Sequence, residues 1–92
     1  MKIEGDRIIF KSSPNNYFKE RDGQKCNTLR RFSGWEELRD FERFKDEVDF
    51  NEPNKTIRIY CDFEGWFERT ITDITPFEGY YIISWKHKEE TK

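Results

Sequence analysis

Five apolar residues, Trp35, Leu38, Phe41, Phe44 and Val48, recur at intervals of three and four within an otherwise charged stretch. That period fits one face of an α-helix and no strand. Ser33 and Glu36 stand ahead of it at capping-box spacing, so the sequence predicts a helix over Ser33 to Val48. Glu36, Glu37, Asp40, Glu42, Asp46 and Glu47 fill the remaining positions, and residues 36–52 carry a balance of −5. Such a face is either a recognition surface or simply solvated. A helix with one apolar stripe needs a second layer to cover it.

The flanking runs supply that layer. "RIIFKS", Arg7 to Ser12, is β-branched and aromatic and is predicted as a strand. "TIRIYCD" alternates, with Ile57, Ile59 and Cys61 on one face. A hairpin tip at Glu64 and Gly65 leads to a return strand from Trp66 to about Ile74, and "PFEG" makes the next turn. "YYIISW", Tyr80 to Trp85, is apolar on both faces, which suits a central or barrel-closing strand. Near the start, Ser13 is placed to cap a two-turn helix from Pro14 to Asp22, with Tyr17 and Phe18 on its buried side and Gly23 at its exit. "NTLRRF" follows as a short extended segment. The expected fold is α+β, a small partly closed β-barrel with two flanking helices. It forms one domain over residues 1–92, in which 86–92 are a frayed tail and "NEPNK" is too short to be a linker.

A chain of 92 residues has a small core. Nine Phe, within an aromatic share of 17%, supply buried area that aliphatic residues would otherwise provide. The net charge of −2 argues against coating nucleic acid by bulk charge. Residues 1–31, however, hold eight Lys and Arg against four Asp and Glu, whereas residues 32–92 hold nine against fifteen. The basic balance is local to the opening stretch. Cys26 and Cys61 have no second Cys or His at ligand spacing, so no zinc site or other metal is expected, and no cofactor. Whether the two thiols meet in space stays open. His87 reads as a solvated residue of the charged tail. No targeting signal and no apolar run approaching 18 residues is present, so a cytoplasmic protein away from the membrane is expected, as a monomer or weak dimer.

"DGQKCNTLRR", residues 22–31, concentrates the basic residues. In an extended segment Thr28 and Arg30 share one face while Leu29 and Arg31 take the other, and Lys25 precedes them in the turn. A hydroxyl between an ammonium and a guanidinium can bind phosphate or carboxylate, or act as a nucleophile if the Lys is desolvated. It can equally be a basic turn complementing a helix dipole.

Gly23, Lys25, Thr28 and Arg30 spell G-x-K-x-x-T-x-R. This resembles the G-x-K-x-x-E-x-R signature of the ASCH domain, a family of small PUA-like barrels in which some members carry Thr in place of Glu. The placement after a first strand and short helix is similar, and "RTITDITPFEGYYIISW" looks like the family's closing hairpin. The middle departs, with the acidic helix where members run into a turn and strand, and in this the chain resembles small phage and prophage relatives. The resemblance implies a cleft that binds RNA or a nucleotide-like ligand through Gly23, Lys25, Thr28, Arg30 and Arg31, with Trp66 as the best exposed ring for stacking; Tyr60 and Trp85 are further ring candidates. One branch implies an amidohydrolase acting on an acetylated nucleoside. Lys25 and Thr28 match its Lys and Thr nucleophile, and Glu78, with Glu68 second, is the positional candidate for its Glu. A phage protein of this type also has an alternative use, binding a host protein through the acidic helix.

Overall fold

The alternation at Ile57, Ile59 and Cys61 buries all three, and it sets the inner face of a six-stranded sheet. In this computed structural model, which describes residues 1–87, the elements run β1 (Lys2–Glu4), β2 (Arg7–Lys11), α1 (Pro14–Arg21), β3 (Asn27–Arg30), α2 (Trp35–Asp46), β4 (Thr56–Cys61), β5 (Gly65–Phe77) and β6 (Tyr80–Trp85). The sheet order is β1-β2-β4-β5-β6-β3. Among the described residues only β2 and β4 pair in parallel, Ile8 beside Ile57 and Phe10 beside Ile59; the other neighbours are antiparallel. The fold is therefore α+β with a mixed sheet. Its end strands, β1 and β3, do not pair with each other among the described residues.

Strand β5 serves two partners. Its first half pairs with β4 and its second with β6, and the register slips between Ile71 and Asp73, where a bulge bends the ribbon. The strand runs three residues past the expected Ile74, because Thr75, Pro76 and Phe77 still pair with Ile82, Tyr81 and Tyr80. The turn is then only Glu78 and Gly79, with φ of +50° and +84°. β1 was not legible as a strand; it is the first arm of a hairpin that turns at Gly5 (φ +61°) and Asp6.

Ile8, Phe10, Ile57, Ile59, Phe67, Ile71, Ile83 and Trp85 from the sheet meet Tyr17 of α1 and Phe41 and Phe44 of α2 in one core. Aromatic edges and faces carry much of it: Phe32 stacks on Phe41 at 4.5 Å, and Tyr17 meets Phe67 at 5.5 Å. The helices depart from expectation in detail. Phe18 is exposed, and the second buried position of α1 is Glu20. α2 spans Trp35–Asp46 with Gly34 at its N-cap, so Ser33 lies outside the helix and the expected capping box does not form, while Trp35 and Leu38 stay 70% and 37% exposed. No helix of the described residues is long and apolar enough to cross a membrane.

Candidate functional site

α1 ends at Arg21, and the chain must reverse to start β3. Gly23 makes the reversal with φ +87°. A Cβ there would lie 2.6 Å from Nδ1 of His87, so His87, expected to be free in solvent, has its ring against the loop although it remains exposed. Arg69 Nη2 donates to the Arg21 carbonyl (3.0 Å), and the Lys25 N–H donates to the Lys19 carbonyl (3.0 Å). The last turn of α1 and the loop are thereby fixed to each other.

β3 then carries Thr28 and Arg30 inward. The Arg30 guanidinium donates from Nε to Thr28 Oγ1 (2.9 Å), from Nη2 to Ser12 Oγ (2.9 Å) and from Nη1 to the Lys11 carbonyl (3.0 Å). It also lies 4.5 Å over the Phe10 ring. Ser12 in turn donates to Glu20 Oε1 (2.9 Å), and Lys25 Nζ stands 4.0 Å from Glu20 Oε2. Ser12, Glu20 and Thr28 are buried, at 7%, 1% and 3% exposure, whereas the Lys25 side chain remains a third exposed. Burial lowers the Arg30 pKa from its ordinary value, with the Glu20 charge opposing; a guanidinium stays cationic all the same. A buried carboxylate is thus compensated by a guanidinium reached through a serine and by an ammonium at the surface.

The fold brings Gly23, Lys25, Thr28 and Arg30 together and adds two residues that sequence reasoning missed, Ser12 and Glu20. Their signals were faint: Ser12 ends a strand, and Glu20 lies three positions after Tyr17, on the same helical face. The remaining candidates lie elsewhere. Arg31 is exposed with its guanidinium 5.8 Å over Tyr80. Glu78 lies in the β5–β6 turn, past the last β3 pair of Arg30 with Tyr81. Glu68 holds Arg58 and Arg7 on the outer face of the sheet (3.0 and 2.9 Å). Trp66, opposite Tyr60, is on that outer face too, and Trp85 is core. Cys26 and Cys61 are free thiols.

Beside Ser12 a groove of about 510 Å³ opens between the start of α1 and the β4–β5 hairpin, lined by Lys11, Ser12, Ser13, Cys61, Asp62 and Phe63. The chain thus has a buried polar frame, a cation at its rim and a groove that reaches Ser12. Comparison with family models, with curated proteins and with solved structures finds no match to this chain.

Proposed function

We propose that the chain is an RNA- or nucleotide-binding module of ASCH-like, PUA-like type, acting through the Gly23 to Arg31 loop. The observation that carries this reading is the separation of roles within the motif. Arg30, Thr28, Ser12 and Glu20 satisfy one another inside, which fixes the loop, while Lys25 keeps its ammonium within reach of solvent. A pre-ordered cation spends little conformational entropy on capturing a phosphate or a polar base edge. What supports the partial-barrel reading is the Arg30 bond to Lys11, which ties β3 at one end of the sheet to β2 near the other. The test is an amide-shift titration with a short single-stranded RNA and with a mononucleotide at low salt. Shifts on Gly23 to Arg31 are expected, and Lys25→Ala should weaken binding by about 1–3 kcal/mol while costing stability far less than Arg30→Ala, because its 4.0 Å pair with Glu20 is partly exposed. Shifts that avoid the loop would sink the reading.

One observation favours a second reading, an amidohydrolase acting on an acetylated nucleoside. Glu20, not Glu78, is the carboxylate beside Lys25. Under this reading Glu20→Gln abolishes conversion of acetylcytidine and Glu78→Gln leaves it intact, as read by chromatography of the deacetylated product. Equal loss in both variants, or no conversion by the unmodified protein, removes it.

A further inference from the structure

Among the described residues no helix covers the aromatic row on the outer face of the β2–β4–β5 sheet. Register aligns Lys11 with Tyr60 and Tyr60 with Trp66, so the three side chains stand side by side across three strands. Tyr60 is 38% exposed and Trp66 57%. Arg58 lies 3.8 Å over the Trp66 ring and is itself held by Glu68 at 3.0 Å, which fixes the indole in place. At the tip of the same hairpin Phe63 is 104% exposed and adopts φ +71°. A bulky side chain in that region is strained, and here no packing offsets the strain. The tip forms one wall of the groove that ends at Ser12, the residue through which Arg30 and Glu20 are joined.

We propose that this row, Phe63, Tyr60 and Trp66 with Lys11 and Arg58, is a stacking face for the bases of single-stranded nucleic acid, continuous through the groove with the motif frame. The inference rests on the nucleic-acid reading of the loop and says where the rest of the strand lies. Successive exposed rings flanked by cations match the stacking geometry by which unpaired bases are held. A duplex hides its base faces and does not fit. The charges decide the character of binding. Lys2, Arg7, Lys11 and Arg58 on this face are offset by Glu4, Asp62 and Glu68, and Lys11 is paired with Asp62 at 2.5 Å. Few phosphates are neutralised, so stacking outweighs charge and affinity falls only shallowly with salt, with a log–log slope near −1.

The experiment uses the full chain carrying Trp35→Phe, so that Trp66 dominates the emission of exposed indole, Trp85 being buried. Titration with a twelve-nucleotide oligouridine is expected to quench Trp66, and a duplex of equal length is expected to leave it unquenched. Phe63→Ala and Tyr60→Ala are each expected to weaken oligouridine binding by about tenfold in fluorescence anisotropy. In the background with Trp35 intact, Trp66→Ala does the same and Trp66→Phe recovers most of the loss. Phe63 is free of packing, so its variant folds and keeps the test valid. Oligouridine binding with loop amide shifts, but with unchanged Trp66 emission and unchanged affinity in the variants, overturns the stacking face and leaves the loop reading standing. Quenching of Trp66 without loop shifts keeps the face and removes the loop. No binding of oligouridine at low salt overturns the face, and the mononucleotide titration then decides the loop alone.

Discussion

Arg30 spends three of its N–H groups on Thr28, Ser12 and the Lys11 carbonyl, and its flat side rests on Phe10. It therefore acts as a framework residue inside a motif whose spelling suggests a ligand contact. Arg30→Ala leaves Ser12 without its donor and the buried Glu20 without its nearby guanidinium charge, and is expected to cost about 2–4 kcal/mol of stability in chemical denaturation. Arg30→Lys keeps the charge but loses the fork, and recovers only part of that. The opposite sign is expected at Phe63. Replacing it by Gly removes the strain at φ +71° without loss of packing and should raise stability by about 1 kcal/mol, at the expense of base stacking. Gly23→Ala moves the other way, by about 1–2 kcal/mol; the exposed His87 ring can swing aside, so the cost is that of φ +87° itself. Gly23 was legible from its place after a helix, because only the local backbone decides it. Ser12 and Glu20 were not, since a carboxylate is tolerated in a core only when distant partners compensate it.

α2 shows what helical periodicity can and cannot say. The stripe correctly gives the face that turns inward, and Phe41 and Phe44 are buried on it. It cannot say how far the neighbouring layer extends, and Trp35 and Leu38 lie beyond that cover, Leu38 beside Phe77 and Tyr80 of the β5–β6 hairpin. Phe41→Ala should accordingly cost about 3–5 kcal/mol and Trp35→Ala under 1 kcal/mol, as measured by thermal melts. The tie between α2 and β6 is the Tyr81 hydroxyl, which donates to Glu42. That hydrogen bond, the larger cause, with burial adding to it, pushes the Tyr81 pKa up from 10.0 to about 12. A raised pKa means that the contribution is complete below pH 10 and is lost as pH climbs toward 12. Absorbance at 295 nm should show a late-titrating tyrosine that Tyr81→Phe removes, and the stability gap between the two proteins should narrow above pH 10. The acidic outer side of α2 remains the proposed alternative surface for a host protein. If it is used, reversing Glu36, Asp40 and Glu47 abolishes capture of that partner while the fold survives.

At the scale of the whole molecule, the order of strands in the sheet differs from their order in the chain. The antiparallel run β4-β5-β6 was legible because each hairpin is announced locally by its turn residues. The parallel pairing of β2 with β4, and the removal of β3 to the far end beside β6, were not, because both join segments tens of residues apart. Among the described residues β3 pairs only with β6, Thr28 opposite Ile83 and Arg30 opposite Tyr81. Synthesis from the N-terminus therefore delivers the motif long before the strand that orders it. Until β6 has been made Thr28 and Arg30 have no sheet to join, and the frame around Glu20 orders only after β4 and β5. A nascent chain arrested before Ile83 emerges would hold its core hairpin but no ordered loop, so any binding through that loop would wait for β6.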